Sequence, residues 1–268
     1  MPTAKSNQWA LVTGASSGIG EAFAYRFARE GRSVILVARS KEKLHTLAKV
    51  IQERYHVQTL VIASDLSQTG APQDVYDFVK SNAIEVDCLI NNAGFGAVTE
   101  VMEIDLKRQL EMIDLNVKSL VALSYLFLKE MKKNQRGCIM NVSSTASFQS
   151  MPYFTTYAAT KAFVTSFTEG LWYECRGTGV RIVNLCPGRT KTNFGAAAGQ
   201  PKNIKDSRPT QTAEEVAEYG WRAFMSADWA TVITNPVDGF MCWFARFLPR
   251  KISVVLIGGM AQRMGYRQ

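Results

Sequence analysis

The sequence predicts an α/β fold in which helices cover both faces of one doubly wound parallel sheet. Three observations predict it: strand-length apolar runs rich in Val, Ile and Leu, helix-length periodic segments between them, and no Pro- or Ser-rich linker. Near-continuous apolar strands are expected where both faces of a parallel sheet are covered. A chain of 268 residues fits one large domain or two small ones, and the uninterrupted alternation favours a single domain over residues 1–268.

Six strand–helix alternations occupy the first two thirds of the chain. The apolar runs predict strands over residues 9–13, 34–38, 57–63, 86–91, 138–143 and 180–185. The helical periodicity predicts helices over residues 18–30, 41–55, 71–81, 105–133 and 157–176. Gly31 is expected to end the first of these helices.

The last third departs from this pattern. Residues 193–212 carry two Gly, two Pro and many polar groups, which predicts a mobile loop beside the substrate, and 213–227 is predicted to be a helix. Residues 235–268 are predicted to form an apolar helical extension, with a cluster of aromatic and aliphatic residues between Phe240 and Leu248. We interpret this cluster first as packing against the domain. A subunit contact and an interfacial membrane helix are the alternatives.

Composition restricts the class of protein. The chain is 47% hydrophobic and 20% charged, with a formal net charge of +8, which is typical of a foldable globular protein. Five Cys without a CxxC pair argue against a disulfide framework and a zinc module, so we expect no metal and a reducing, cytoplasmic location. No apolar run reaches the roughly 18 residues of a membrane span, and the first residues hold no apolar signal segment.

The net charge favours anionic partners but not nucleic acid. The longest basic cluster, residues 129–136, has no interleaved aromatic residues of the kind that stack on bases. We therefore expect no nucleic-acid partner, while peripheral contact with a membrane stays open.

A Gly-rich segment lies between the first predicted strand and the first predicted helix. Its spacing is GxxxGxG, formed by Gly14, Gly18 and Gly20. Glycines there allow a tight turn and bring the backbone close to a pyrophosphate, which N–H groups and the helix dipole then hold. The segment therefore predicts a dinucleotide site. Its other expected contacts are Ser16, Ser17 and Ile19.

The end of the second predicted strand indicates which dinucleotide binds. An acid about 20 residues beyond the loop binds the ribose hydroxyls of NAD, whereas an Arg accommodates the additional phosphate of NADP. No acid stands at Ala38, and Arg39 follows directly. Since Arg binds phosphate bidentately and stacks on adenine, the sequence favours NADP(H).

Tyr157 and Lys161 stand four residues apart at the start of a predicted helix, so both lie on one face. An ammonium about 4 Å from a phenol contributes up to ~4 kcal/mol at an effective dielectric constant of ~20. That is enough to lower the pKa of the Tyr by as much as about three units. The pair therefore predicts a proton donor that works near neutral pH.

Further polar residues follow the predicted strands at their carboxyl ends, where open α/β sheets bind ligands. Asp65 follows the third strand, Asn92 the fourth and Ser144 the fifth, while Asn116 lies in the long predicted helix. The same edge carries Leu66, Ala93, Gly94, Pro187, Gly188, Thr190 and Thr192. Together and in this order, these residues indicate a binding site rather than a set of turns.

In these motifs the chain resembles the short-chain dehydrogenase/reductase family over residues 8–192. The stretches 37–44 and 247–250 look closer to the branch with long-chain 3-oxoacyl thioester reductases and hydroxysteroid dehydrogenases. The family's usual last strand and its Val-Asp-Gly-Gly end are poorly matched by residues 231–240. The resemblance implies a Rossmann-like fold and assembly into a homodimer or homotetramer through the helices at 105–133 and 157–176.

The resemblance also implies roles for individual residues. Tyr157 would be the catalytic acid/base, with Lys161 lowering its pKa and holding the nicotinamide ribose. Ser144, rather than the adjacent Ser143, would hydrogen-bond the substrate carbonyl, and Asn116 would hold a water in the proton relay.

The implied cofactor contacts are distributed along the same edge of the sheet. The three loop glycines would carry the pyrophosphate, Asp65 with Leu66 the adenine, and the segment Asn92, Ala93 and Gly94 the adenosine side. The nicotinamide amide would be contacted by Pro187, Gly188, Thr190 and Thr192.

These expectations combine into an NADPH-dependent carbonyl reductase or alcohol dehydrogenase acting on a small molecule. Apolar side chains at 148 and 151–154, together with Phe194, favour an apolar ketone, a 3-oxoacyl compound or a steroid-like substrate. One alternative is a non-catalytic protein that senses NADP(H) and regulates a partner. The other is a scaffold whose basic surface binds nucleic acid or a membrane.

Overall fold

The computed structural model describes residues 8–200, 210–226 and 230–266. Four sequence predictions fall partly outside the described residues. They concern the signal-free start at 1–7, residues 201–209 of the predicted loop, residue 227 at the end of a predicted helix, and residues 267–268 of the predicted C-terminal extension.

The described strands include each one predicted from the apolar runs. They are β1 (Trp9–Thr13), β2 (Ser33–Ala38), β3 (Thr59–Ala63), β4 (Val86–Asn91), β5 (Gly137–Val142), β6 (Val180–Cys186), β7 (Thr190–Lys191), β8 (Gln211–Thr212) and β9 (Thr231–Ile233). Seven of them form one parallel sheet in the order β3-β2-β1-β4-β5-β6-β9. The strand order reverses between β1 and β4, and a crevice at such a reversal is where ligands bind in open α/β sheets.

Helices cover both faces of this sheet. They are α1 (Gly18–Arg29), α2 (Lys41–Tyr55), α3 (Ala71–Ser81), α4 (Leu106–Ile113), α5 (Leu120–Lys133), α6 (Thr155–Glu174), α7 (Phe194–Ala197), α8 (Ala213–Met225), α9 (Pro236–Ala245) and α10 (Arg250–Arg263). Adjacent strand residues point to opposite faces, so Val12 packs into the core under α1, α2 and α8, and Leu11 into the core under α3, α5 and α6. The predicted doubly wound α/β fold is confirmed.

The predicted helix over 105–133 is interrupted. A π-helical segment, Asp114–Ser119, joins α4 to α5. The wider turn places the Asn116 side chain inside the protein, where its Nδ2 donates to the Phe95 carbonyl oxygen at 2.9 Å and to Thr160 Oγ1 at 3.1 Å. Such π-turns occur frequently at functional sites, and a uniform 3.6-residue pattern does not reveal them.

The region after β6 has more regular structure than the sequence predicts. Within the predicted loop 193–212, α7 forms a short helix and β8 pairs in parallel with β7. Thr231–Ile233, a poor match to the family's last strand, nevertheless pairs with β6 as the seventh strand of the sheet.

The C-terminal extension forms α9 and α10. Its aromatic side chains do not pack into the domain: Phe240 is 65% exposed and Phe247 68% exposed. The interpretation of this cluster as packing against the domain is therefore wrong for these side chains. Among the described helices, none has the length and the hydropathy that crossing a membrane demands.

Candidate active site

The Gly-rich loop is shaped by contacts that only glycine permits. Gly14 and Gly18 have φ angles of +67° and +60°, in the left-handed region that favours glycine. A Cβ at Gly20 would lie 2.3 Å from the Gly14 carbonyl oxygen and 2.5 Å from Asn92 Nδ2, so a side chain there would push the loop away from helix α1. The Ala15 N–H donates to the Val37 carbonyl oxygen, which ties the loop to β2.

Thr13 at the end of β1 joins the loop to the end of β4. Its Oγ1 accepts hydrogen bonds from the backbone N–H groups of Asn92 and Ala93, at 2.9 and 3.0 Å. Asn92 Nδ2 in turn donates to the Thr13 carbonyl oxygen at 2.9 Å. The sequence analysis assigned no role to Thr13, because the partners lie about eighty positions further along the chain.

The start of α1 is suited to hold a phosphate. Ser17, the residue before its first turn, makes no side-chain hydrogen bond to the helix, so it does not cap the N–H groups at this end. Ser17 and Gly18 line a cleft of about 320 Å³ together with Lys191 and Thr192. A Cβ at Gly18 would lie 3.0 Å from Thr192 Cγ2, so the Gly-rich loop and the segment after β6 approach each other closely at this cleft. Ser16 is half-buried, as is Ile19, which packs against the core.

The carboxyl ends of β2 and β3 carry opposite charges. Arg39 is exposed, whereas Leu66 beside Asp65 is buried. Burial of Asp65 tends to raise its pKa, but hydrogen bonds from Ser67 and the positive charge of Arg39 outweigh this effect and lower the pKa below its ordinary value. The Asp65 carboxylate is therefore charged at neutral pH in the place where the adenosine end of a dinucleotide is expected.

These features fit NADP(H). The uncapped first turn of α1 and the left-handed glycines can hold the diphosphate, and the exposed Arg39 is available for a further phosphate. Asn92, Ala93 and Gly94 are half-buried along the β4 side of the same crevice.

Tyr157 and Lys161 lie one turn apart on α6, with the Lys161 Nζ 5.8 Å from the centre of the Tyr157 ring. Burial raises the pKa of Tyr157 to about 12, although a hydrogen bond from the Ser144 side chain acts in the opposite direction. Burial lowers the pKa of Lys161 to about 8, and its Nζ donates to the Val142 carbonyl oxygen at 2.8 Å. The structure thus differs from the expectation that the ammonium lowers the pKa of the phenol, because burial has the larger effect on both groups.

The two adjacent serines after β5 point in different directions. Ser143 is buried, and its Oγ donates to the Lys161 carbonyl oxygen at 2.9 Å, which fastens β5 to helix α6. Ser144 instead lies close enough to the Tyr157 phenol to lower its pKa, and its Oγ accepts a hydrogen bond from the Ala146 N–H at 3.1 Å. Of the two, Ser144 is placed to act on a substrate carbonyl beside Tyr157.

Asn116 lies behind the catalytic pair. Both of its Nδ2 hydrogens are used, and its Oδ1 accepts a hydrogen bond from the Phe95 N–H at 3.1 Å. A Cβ at Gly94 would lie 2.9 Å from Asn116 Oδ1 and 3.5 Å from Lys161 Nζ, so the absence of a side chain at Gly94 leaves these groups close together. A water of the proton relay would have to donate to an oxygen atom of Asn116, since both side-chain N–H groups of Asn116 already donate hydrogen bonds within the protein.

The segment after β6 lies beside Ser144, where the nicotinamide is expected. The Pro187 carbonyl oxygen accepts a hydrogen bond from the Thr145 N–H, which fixes this segment beside Ser144. Thr190 Oγ1 donates to the Gly188 carbonyl oxygen at 3.1 Å. A Cβ at Gly188 would lie 1.9 Å from Asp238 Oδ2, so glycine is required where the buried α9 side chain meets this segment.

Aromatic rings surround Tyr157. Phe154 stacks on its ring with 4.3 Å between centroids, and Phe194 of α7 lies 5.3 Å away. Phe95 and Met151 pack against the same cluster. Of the residues expected to form an apolar wall, Phe154, Met151 and Tyr153 thus belong to the cluster around Tyr157.

Comparison with known proteins places the chain in a family. A family model described as short chain dehydrogenase matches residues 8–203. The very-long-chain 3-oxoacyl-CoA reductase of Anas platyrhynchos is 37% identical over 186 residues, 67% of this chain but only 58% of that protein. The sulfoacetaldehyde reductase 2 of Chromohalobacter salexigens is 37% identical over 216 residues, 78% of this chain and 84% of that protein. The chain thus spans less than two thirds of the first of these relatives.

Solved structures share the fold across almost the whole chain. A structure from a study of 7beta-hydroxysteroid dehydrogenase stereoselectivity has a TM-score of 0.84 and 26% identity, covering 94% of this chain and 97% of that one. A short-chain dehydrogenase from Sphingobium yanoikuyae in complex with NADPH has a TM-score of 0.79 and 26% identity, covering 91% and 97%. The resemblance seen in the motifs is confirmed, and the chain belongs to the short-chain dehydrogenase/reductase family of oxidoreductases.

Proposed function

We propose that this chain is an NADPH-dependent carbonyl reductase, or alcohol dehydrogenase in the reverse direction, that acts on an apolar ketone, a 3-oxoacyl compound or a steroid-like substrate. The observation that carries the proposal is the buried Tyr157 phenol, which lies beside the Ser144 side chain and whose ring packs against Phe154 and Phe194. The name of the Anas platyrhynchos relative supports an acyl substrate, and the Sphingobium yanoikuyae complex supports NADPH.

The chain's own residues supply the proton and the stabilisation of charge. Bound NADPH supplies a hydride to the carbonyl carbon. Because the pKa of Tyr157 is about 12, the phenol is protonated at neutral pH and can donate its proton to the developing alkoxide. Ser144 Oγ is placed to stabilise the same oxygen by a hydrogen bond. Lys161, with a pKa near 8, exchanges protons close to neutral pH and can restore the proton on Tyr157.

The segment at residues 148–154, called the substrate wall below, favours an apolar compound over a small anion. Residues 148–154 contain no charged side chain, and burial in this cluster would penalise a sulfonate or carboxylate without a partner. The relative named sulfoacetaldehyde reductase 2 makes a small anionic aldehyde the competing class.

A substrate panel tests the proposal. The consumption of NADPH is followed with a long-chain 3-oxoacyl thioester, a ketosteroid, an aromatic ketone and sulfoacetaldehyde. Turnover of one of the first three with the highest kcat/KM supports the proposal, and preference for sulfoacetaldehyde overturns the apolar substrate class. Tight binding of NADPH without turnover of any compound would favour the non-catalytic sensor.

Replacement of Arg39 by Ala is expected to raise the KM for NADPH roughly 10- to 100-fold and to change the KM for NADH less than threefold. The reason is that a charge-assisted bidentate contact to phosphate contributes about 1.5–3 kcal/mol, and NADH lacks that phosphate. Initial rates with both cofactors measure the effect. Arg54→Ala, which removes another exposed Arg beyond the same strand, is the control. Equal increases in KM for NADH and NADPH would show that Arg39 does not contact the additional phosphate of NADPH.

We also propose that the protein is a cytoplasmic homodimer or homotetramer. All five Cys are buried and none forms a disulfide, as suits a reducing compartment. Large apolar side chains are exposed on α4, α5 and α6, and Leu110, Tyr125 and Phe163 are among them. Sedimentation velocity is expected to give a dimer or tetramer, and Phe163→Glu is expected to shift it toward the monomer. A monomeric wild type at micromolar concentration would contradict this assembly.

A further inference from the structure

The C-terminal helices both expose large apolar side chains. On α9 and the turn that follows it, four aromatic residues recur at helical spacing and contact each other through their rings. They are Phe240, Trp243, Phe244 and Phe247. On α10, exposed aliphatic side chains follow the same pattern at Ile252, Val255, Leu256 and Met260. Each of these side chains is at least 47% exposed, and a soluble monomer rarely leaves so many neighbouring apolar groups in water.

The charged residues of this C-terminal segment are all basic. Between residue 239 and the C-terminus the sequence contains five Arg or Lys and no Asp or Glu. Arg246, Arg250 and Lys251 are exposed around the turn between α9 and α10, and Arg263 is exposed at the far end of α10. Aromatic side chains beside cations are the composition of segments that lie in the interface of an anionic bilayer.

We propose that this surface of α9 and α10, the C-terminal face, binds to an anionic lipid surface. The aromatic rings enter the boundary between headgroups and acyl chains, and the cations contact the lipid phosphates. A second copy of the chain is a poorer occupant, because a symmetric contact would bring two sets of like charges together. An anionic bilayer satisfies the apolar and the charged groups at once.

The C-terminal face also lies next to the substrate wall. Gln262 Nε2 of α10 donates to Tyr153 Oη at 2.7 Å. A Cβ at Gly258 would lie 3.3 Å from Pro152 Cγ, so α10 packs closely on the segment that leads to Tyr157. Ala261 is buried in the same cluster as Tyr157. Binding to lipid would therefore bring the substrate wall close to the bilayer, where apolar substrates partition.

Vesicle co-sedimentation tests the proposal without depending on catalysis. The full chain is mixed with vesicles of phosphatidylcholine alone, or of phosphatidylcholine with phosphatidylglycerol. We expect sedimentation with the anionic vesicles and much less with the neutral ones, and a loss of binding as salt is raised. Failure of the wild type to sediment with anionic vesicles at low salt would overturn the proposal, whatever its enzymatic activity.

Matched variants locate the binding face. Trp243→Ser combined with Phe247→Ser, both exposed positions, is expected to weaken vesicle binding at least tenfold while leaving the circular dichroism spectrum and the thermal midpoint near wild type. Arg246→Glu with Arg250→Glu is expected to do the same, since each cation near an anionic surface contributes roughly fivefold in affinity. Phe78→Ser, at an exposed apolar position on α3, is the control and should bind like the wild type.

Two results from these variants would overturn the assignment. One is equal vesicle binding by the wild type and both double variants. The other is a wild type that self-associates without binding vesicles and becomes smaller in sedimentation when Trp243 and Phe247 are replaced, which would identify a second copy of the chain as the occupant.

Discussion

Tyr157→Phe is expected to lower kcat roughly 10²- to 10⁴-fold, the usual contribution of a positioned proton donor. The substitution removes only the hydroxyl. The ring keeps its shape, so its stacking on Phe154 at 4.3 Å and its contact with Phe194 are retained. Since the phenol is buried and protonated at neutral pH, no other change in charge accompanies the loss. The dissociation constant for NADPH, measured by fluorescence titration, is expected to change less than threefold.

Tyr153→Phe is the matched control for this experiment. It removes a hydroxyl four residues earlier, which accepts a hydrogen bond from Gln262 and lies outside the proposed proton transfer. We expect its kcat to stay within about threefold of wild type, since a single partly exposed hydrogen bond contributes only about 1 kcal/mol. If Tyr157→Phe retained a wild-type kcat, Tyr157 would not be the proton donor.

The sheet could be predicted from the sequence because its strands are buried on both faces. Leu11 and Val12 pack into different cores, and so do Ile35 and Leu36, so β1 and β2 appear in the sequence as nearly continuous apolar runs. The Gly-rich loop was recognisable for a similar reason. The backbone conformation at Gly14 disfavours residues with a side chain, so the glycine itself marks this position in the sequence.

The residues that support the site were not predictable in this way, because their partners are distant in sequence. Asn91, Asn141 and Asn184 occupy neighbouring positions on β4, β5 and β6, where Asn91 Nδ2 donates to Asn141 Oδ1 at 2.9 Å. Each stands in or beside an apolar run, and the sequence does not show that the three meet. Thr160 Oγ1 likewise accepts a hydrogen bond from Asn116 Nδ2, and the two residues are 44 positions apart in the sequence. Only the register of the sheet and the crossing of α6 over the π-helical segment bring these groups together.

The exposed aromatic face of α9 was misjudged for another physical reason. Its residues recur at helical spacing, the same pattern that marks a helix packed on a core. The pattern shows which face is apolar but not what covers it. What covers that face depends on how much of the core is still exposed at this edge of the sheet. On α9, Cys242 is a buried side chain on the side toward the domain.

Lys161→Met is expected to remove most of the activity and, at the same time, to remove a pH dependence of stability. Burial lowers the pKa of Lys161 from 10.5 to about 8 in the native protein. Between these two pH values the unfolded chain binds more protons than the native one, so the free energy of unfolding rises with pH. The contribution is absent below pH 8, where both states are protonated, and reaches about 3 kcal/mol at pH 10.5.

The difference between wild type and Lys161→Met isolates this contribution. Tyr157 and the buried thiols are present in both proteins, so their contributions to the stability difference cancel. The lost hydrogen bond to the Val142 carbonyl oxygen adds an offset that does not depend on pH. Urea unfolding at several pH values between 7 and 10.5 should therefore show the wild type gaining stability relative to the variant. Lys49→Met, at a side chain 76% exposed on α2, should run parallel to the wild type. Parallel curves for Lys161→Met as well would mean that the native lysine titrates like an exposed one, and Lys161 could not then restore the proton of Tyr157 near neutral pH.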